Sequence, residues 1–324
     1  MTQKADAVTP DAELLRHCWF LAGPTAGGKT AAALCLAQRM NAEILSMDSM
    51  AIYRGMDIGT AKPTPEEQAQ AVHHLIDLVT PDQEFSVAEY VQMAWATVTD
   101  IVNRGRTPLF VGGTGLYLRS LLRGVFEGPD ADWPFRRRLE QSLEQHGRQW
   151  LHDELRKIDP VTADRLHPND VRRIVRAIEV YHATGRSIAD QHAQQTPTAA
   201  QPAAVLWLDP PRAWLHDRIN RRVDRMMQQG LLQETQQLLA ADPPPGRTAR
   251  QALGYRELIS HLEDGVPLDN CVAQIKAGTR QFAKRQHTWF RNLEECNSVS
   301  VTGDESPEMI AHRIMQTVTK PGVD

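Results

Sequence analysis

An α/β fold, with a parallel sheet carrying helices on both faces, is predicted by three observations. The glycine-rich string Gly23-Pro24-Thr25-Ala26-Gly27-Gly28-Lys29-Thr30 sits between an apolar run and a helix-forming run. Strand-like and helix-like segments alternate over the first third of the chain, the pattern of a parallel sheet with ligands at the strand C-termini. A late apolar run, Ala204-Val205-Leu206-Trp207-Leu208, returns to this pattern after a long helical stretch. The predicted molecule is therefore a phosphate-loop (P-loop) parallel-sheet core, an inserted all-helical domain and a helical C-terminal part.

The elements follow in order. Cys18-Trp19-Phe20-Leu21-Ala22 reads as a buried strand, and Ala31-Ala32-Ala33-Leu34-Cys35-Leu36-Ala37 as a helix after the glycine-rich loop. Glu43-Ile44-Leu45-Ser46-Met47 is a second strand that ends at Asp48, and Leu75-Ile76-Asp77-Leu78-Val79 a third. Ser86 and Glu89 form a capping box that opens a helix ending near Arg104-Gly105. Thr107-Pro108-Leu109-Phe110-Val111 is a fourth strand, entering Gly112-Gly113-Thr114-Gly115. From about Gly128 to Gly185 polar-faced helices replace strands, and a polar stretch, His192 to Pro202, leads back to the sheet. The rest is mostly helical, broken at Pro243-Pro244-Pro245-Gly246, with a short strand near Ser298-Val299-Ser300-Val301. The expected divisions are a disordered lead-in (1–16), a core (17–127 and 203–305), a helical insertion (128–202) and a C-terminal helix and tail (306–324).

Composition narrows the class. With 324 residues, 41 % hydrophobic and 23 % charged, the chain can bury a sizeable core. No apolar stretch is long enough for a membrane span, and the mixed polar N-terminus lacks a cleavable apolar segment. Cys18, Cys35, Cys271 and Cys296 form no C-x-x-C pair, which argues against a zinc site or disulfide framework and fits a reducing cytoplasm. A net charge of −4 excludes a generally basic nucleic-acid binder. The bias is local instead: Arg136-Arg137-Arg138; Arg172, Arg173 and Arg176; Arg218, Arg221, Arg222 and Arg225; and the acid-free run from Lys276 to Arg291. Each alone reads as a solvated helix face, whereas together they suggest a patch for a polyanion. Consecutive helical residues cannot point at one ligand, so Arg137 and Arg138 are weaker candidates than Arg136.

The loop Gly23 to Thr30 satisfies G-x-x-x-x-G-K-[ST] with the strand and helix flanks it requires. Its backbone N–H groups and the helix N-terminus suit phosphate oxygens, Lys29 reaches the terminal phosphates, and the Thr30 hydroxyl suits Mg²⁺. Nucleotide-hydrolysing proteins with this loop usually place a second carboxylate at the end of a central strand. Here the strand ending at Val111 is followed by Gly112-Gly113-Thr114-Gly115, and the carboxylate stands at Asp48. That arrangement disfavours a switch or motor and favours group transfer, with Asp48 deprotonating an acceptor. Three readings stay open on the residues alone: a transferase acting on RNA, a P-loop kinase of a nucleoside or small metabolite, and a non-catalytic RNA-binding protein with a degenerate loop. The basic clusters weigh against the kinase, and the intact Lys29-Thr30 pair against the third.

Six strings, in order over residues 18 to 293, resemble those of the tRNA dimethylallyltransferases, the isopentenyl-diphosphate:tRNA transferases, in their bacterial form. They are the P-loop; Asp48-Ser49-Met50-Ala51-Ile52-Tyr53-Arg54-Gly55-Met56-Asp57-Ile58-Gly59-Thr60-Ala61-Lys62-Pro63; Val111-Gly112-Gly113-Thr114-Gly115-Leu116-Tyr117; His167-Pro168-Asn169-Asp170 with Arg172-Arg173; Ala252-Leu253-Gly254-Tyr255-Arg256; and the run from Thr279 to Arg291. Gly27 replaces a common serine, and Met50-Ala51 depart slightly in the loop after Asp48. The cysteines give no sign of the zinc finger that eukaryotic members add.

The resemblance implies transfer of a dimethylallyl group from dimethylallyl diphosphate to N6 of the adenosine immediately 3′ of the anticodon, in tRNAs reading codons that begin with U. Asp48 is implied as general base. Thr25 is implied beside the reacting carbon, and Gly23 to Thr30 with Arg222 and Mg²⁺ on Thr30 at the diphosphate. The implied tRNA path comprises Asp48, Ser49, Met50, Ala51, Thr114 and Arg136; Arg172, Arg173, Ile174, Val175 and Arg176; Gln251, Ala252, Leu253, Gly254, Tyr255 and Arg256; and Lys284, Arg285, Gln286, His287, Thr288, Trp289, Phe290 and Arg291. Trp289 and Trp214 are expected as core aromatics before stacking platforms. A monomer is expected.

Overall fold

The computed structural model describes residues 11–125, 128–129, 131–193 and 201–319. Among the described residues six strands form one all-parallel sheet in the order β3-β2-β4-β1-β5-β6. The strands are β1 (Trp19–Ala22), β2 (Ala42–Met47), β3 (His73–His74), β4 (Thr107–Gly112), β5 (Ala204–Asp209) and β6 (Asn297–Ser300). β1 lies in the middle, in register with both β4 (Ala22 opposite Gly112) and β5 (Ala22 opposite Trp207). On its other side β4 pairs with β2, Met47 opposite Gly112. The ends of β1, β2 and β4 are thereby level, and the loops leaving them converge on one edge of the sheet.

Burial explains the continuous apolar strands. Leu21, Ile44, Leu109, Leu206, Leu208 and Val299 pack with the helix Lys29–Met40 and with Ile310, Ala311 and Ile314 of the C-terminal helix Pro307–Thr319. Phe20 and Phe110 stack across β1 and β4, ring centroids 4.8 Å apart. The helix Val87–Asn103 begins with the predicted capping box of Ser86 and Glu89, and Tyr90 on it donates to Ser46 O (2.8 Å) while stacking on Tyr117. A further core joins Ile52, Tyr53 and Met56, in the segment after β2, to Val223, Leu231, Tyr255, Leu258 and Ile275 of the later helices.

The third strand differs from the expectation. It is His73–His74, and the segment predicted as strand begins only after it. Leu75 (φ 61°) and Asp77 (φ 54°) adopt left-handed backbone, which no strand tolerates. Asp77 is drawn into a local network instead: its N–H donates to Ala51 O, and its carboxylate, with that of Asp57, receives the buried Lys62 ammonium at 2.6 Å. At the N-terminus, residues 1–10 of the expected lead-in lie outside the described residues. The remainder is not irregular, because Asp11 caps a helical turn, Ala12–Leu15, that buries Leu15. Residues 320–324 of the expected tail likewise lie outside the described residues.

Two compact units are distinguished. Among the described residues, one comprises 11–122 and 201–319, with the sheet; the other lies between residues 123 and 193 and is helical. In the helical unit Trp133–Ile158, kinked at Gly147, packs with Pro160–Arg165 and Val171–Thr184 around Leu151, Leu155, Ala163, Ile174, Val175 and Ile178.

Candidate active site

The loops at the carboxyl edge of the sheet line a cleft of about 120 Å³ that is partly open to solvent. Its lining includes Thr25, Lys29 and Thr30 from the P-loop, Asp48 and Ala51 from the turn after β2, Gly112 and Gly113 after β4, and Arg222, Phe282 and Gln286 from the later helices.

The P-loop is held by side chains on three sides. Lys29 Nζ donates back to Gly23 O (2.9 Å) and Pro24 O (2.8 Å). Gln286 Oε1 accepts the Thr25 N–H at 2.8 Å, and Arg218 Nε donates to Ala26 O at 3.0 Å while its guanidinium lies 4.5 Å from the Trp214 ring centroid. Gly28 (φ 93°) turns the chain into the helix Lys29–Met40 in a conformation that penalises a side chain. Burial, reinforced by the nearby Arg222 charge, pulls the Lys29 ammonium down to about 7, with Asp48 acting in the opposite sense. Burial also pulls Arg222 below its usual range, again opposed by Asp48. An anion between these two cations would relieve both.

Asp48 lies against the same cations. Its Oδ1 accepts the N–H groups of Met50 (2.8 Å) and Ala51 (3.4 Å), which fixes the turn. Oδ2 has no hydrogen-bond partner among the described residues. The neighbouring turn is pinned from β4: Thr114 Oγ1 accepts the Ser49 N–H (3.0 Å) and the Thr114 N–H donates to Met47 O (3.1 Å).

The missing carboxylate after Val111 has a steric cause. A Cβ on Gly112 would stand 2.1 Å from Met47 O, and one on Gly113 would stand 2.2 Å from Gln286 Nε2. The backbone of β2 and the Gln286 side chain occupy that space, and Gln286 Nε2 donates to Gly113 O at 2.9 Å.

Several residues expected along the tRNA path are buried or have partners within the protein. Ile174 and Val175 are in the core of the helical unit. Arg136 and Arg176 both donate to the buried Glu179, at 2.8 and 2.5 Å. Ala252, Gly254 and Tyr255 are buried, and the Tyr255 hydroxyl donates to Glu234 at 2.5 Å. Gln286 and Phe290 are buried, Trp289 packs against Gly115, and His287 Nε2 lies 2.9 Å from Asp209 Oδ1. Arg172, Arg173, Gln251, Arg256, Lys284, Arg285, Thr288 and Arg291 are exposed, and Leu253 is half-buried.

Sequence reasoning missed four contributors. Gln286, expected along the tRNA path, also ties the P-loop to the loop after β4. Arg218 holds Ala26 one helical turn before Arg222, a spacing that places both on one face. Glu234 receives the N–H groups of Asp57 (3.0 Å), Ile58 (2.8 Å) and Gly59 (3.1 Å), and so fixes the segment leading to the cleft residues Thr60, Ala61 and Lys62. Phe282 also lines the cleft, and its four-residue spacing from Gln286 is the available signal.

The model of the family described as IPP transferase matches residues 51–293. The chain belongs to this family. Among its relatives, the tRNA dimethylallyltransferase of Symbiobacterium thermophilum is 47 % identical over 92 % of this chain and 93 % of its own length. That of Rhodopirellula baltica is 44 % identical over 93 % of each. The crystal structure of the tRNA isopentenylpyrophosphate transferase from Bacillus halodurans superimposes with a TM-score of 0.67 at 38 % identity, covering 94 % of this chain and 97 % of that one. A eukaryotic dimethylallyltransferase captured acting on tRNA gives 0.73 at 29 % identity, over 88 % and 74 %. No helix among the described residues is long and apolar enough to cross a membrane.

Proposed function

We propose that this chain transfers the dimethylallyl group of dimethylallyl diphosphate to N6 of the adenosine immediately 3′ of the anticodon, in tRNAs reading codons that begin with U. The observation that carries the reading is Asp48, with a free carboxylate oxygen in the cleft that also holds the P-loop, Lys29 and Arg222. In the reaction the bond between the allylic carbon and the bridging oxygen breaks, a bond from that carbon to N6 forms, and the N6 proton passes to Asp48. An exocyclic adenine amine is a weak nucleophile, so a base placed to receive its proton lowers the barrier. Lys29, Arg222 and the N–H groups of the P-loop receive the charge that develops on the departing diphosphate. Thr25, whose amide is fixed by Gln286, would lie beside the reacting carbon.

The Thr30 hydroxyl, exposed in the first turn of its helix, fits one ligand position of Mg²⁺. Among the described residues no cluster of three His, Cys, Asp or Glu side chains could cage a metal. The donor set is thus that of an ion which keeps its waters and takes its other ligands from substrate phosphates. When bound, it would supply charge neutralisation to the diphosphate. The acceptor base would be extruded from the anticodon loop to reach Asp48, with the exposed Lys284, Arg285 and Arg291 contacting phosphates. We place the protein in the cytoplasm, a reading supported by its tRNA acceptor and four unpaired cysteines, and take it to act as a monomer.

The test is incubation with unmodified tRNA, Mg²⁺ and labelled dimethylallyl diphosphate. Label in the RNA, lost with Asp48→Ala while tRNA binding survives, supports the assignment. ATP consumption against a small acceptor without labelled RNA would make the protein a kinase.

A further inference from the structure

Among the described residues that line the cleft, Phe282 carries the only phenyl or indole ring. It is also 36 % exposed, whereas Ile275 and Phe290 of its helix, Leu268–Arg291, are buried and Leu268 and Trp289 are half-buried. Its place is set by Gln286, one turn further along the helix, which grips both the Thr25 amide and the Gly113 carbonyl. The face carrying Phe282 therefore borders the cleft at a fixed height relative to the P-loop. Beside it the Arg285 guanidinium lies 5.8 Å from the ring centroid, and Lys284 is exposed. The other ring in the lining, His73, is on the edge strand β3 in register with Ile44, and its Nδ1 is tied to Ala71 O at 2.8 Å.

An extruded base loses the stacking of its neighbours, a cost of a few kcal/mol that a protein offsets by offering an aromatic face. Exposed aromatic side chains interleaved with cations are the usual surface for unstacked bases. We propose that Phe282 is the stacking platform for the acceptor adenine, fixing the plane in which N6 approaches Asp48. The inference rests on the tRNA reading above and adds to it the residue that receives the base. A prenyl chain is the competing occupant. The ring's exposure, and its neighbours Lys284 and Arg285, favour the RNA side.

The experiment compares wild type, Phe282→Ala and Phe282→Trp for binding of two anticodon stem-loops, one with the acceptor adenosine and one abasic at that position. Dimethylallyl diphosphate binding is measured alongside. Phe282→Ala is expected to weaken the adenosine stem-loop about tenfold, the order of one base–aromatic stack. It should leave the abasic stem-loop and the donor unaffected, and Phe282→Trp should restore affinity. Equal effects on both stem-loops, no effect on either, or a loss confined to the donor would overturn the proposal; the last would assign the ring to the prenyl chain. Wild-type protein that transfers nothing to RNA would remove the underlying reading and the proposal with it. Wild-type transfer with an unaltered Phe282→Ala would remove the proposal alone.

Discussion

Glu179 and Asp48 are both carboxylates with arginines for neighbours, and they end in opposite conditions. Glu179 is 1 % exposed and saturated: it accepts the Asp132 N–H, two bonds from Arg136 and one from Arg176. Burial alone would raise its carboxyl, but the arginine hydrogen bonds outweigh burial and hold it below the usual range. Asp48 is half-buried, commits one oxygen to a turn and leaves the other facing the cleft beside Lys29 and Arg222. A closed ion pair organises a helical core, whereas an open one has capacity left for a proton and a ligand. The same residue types thus serve structure in one place and chemistry in the other, and the difference lies in how many hydrogen bonds each carboxylate has already made.

The comparison breaks most visibly at Asp48. Asp48→Asn preserves the shape of the turn and removes the base. The transfer rate should fall by about 10²- to 10⁴-fold with tRNA affinity unchanged, measured by single-turnover kinetics beside filter binding. Glu179→Ala should act on folding, costing about 1–3 kcal/mol by removing the buried acceptor that two half-buried arginines and the Asp132 N–H share, read from denaturant unfolding. If instead a folded Glu179→Gln protein lost the chemical step, the division between the two sites would be wrong.

Acid sharpens the same contrast. Because the folded-state pKa of Glu179 is depressed, its contribution is present above about 4.5 and lost as pH falls below that value; Glu179→Gln should flatten the acid limb of stability. At the cleft the sign is reversed. Lys29 titrates near 7 in the free protein, and only its ammonium attracts diphosphate. Donor affinity should therefore drop about tenfold from pH 6 to pH 8 relative to Lys29→Met, followed by calorimetry. The smallest effect is expected at the surface. Lys284→Ala combined with Arg285→Ala should reduce the slope of log affinity for tRNA against log salt by about 1.5.

Much of the sheet was readable because strands covered on both faces announce themselves as apolar runs, and the P-loop announces itself by its flanks. β3 was misplaced because local apolarity at Leu75 to Val79 was outweighed by a tertiary network, Lys62 with Asp57 and Asp77, that bends the backbone. At the site, Asp48 and Lys29 were legible from their positions at strand and helix ends. Gln286, Arg218 and Glu234 were not. Their partners are backbone atoms far away in sequence (Gln286 reaches Thr25 across 261 positions), and no local pattern encodes such a bond. The ion pairs of Arg136 and Arg176 were illegible for a related reason, since Glu179 lies 43 positions from Arg136 and its burial depends on the helical packing.

The central claim is that the cleft transfers an alkyl group to RNA rather than a phosphoryl group to a small acceptor. Its most direct test is single-turnover mixing of the protein and Mg²⁺ with unmodified tRNA and dimethylallyl diphosphate labelled in the allyl carbons. The expected result is label on N6 of the adenosine 3′ of the anticodon, with release of diphosphate in equal amount. Diphosphate left intact, with no label in RNA under conditions where the tRNA is bound, would contradict it.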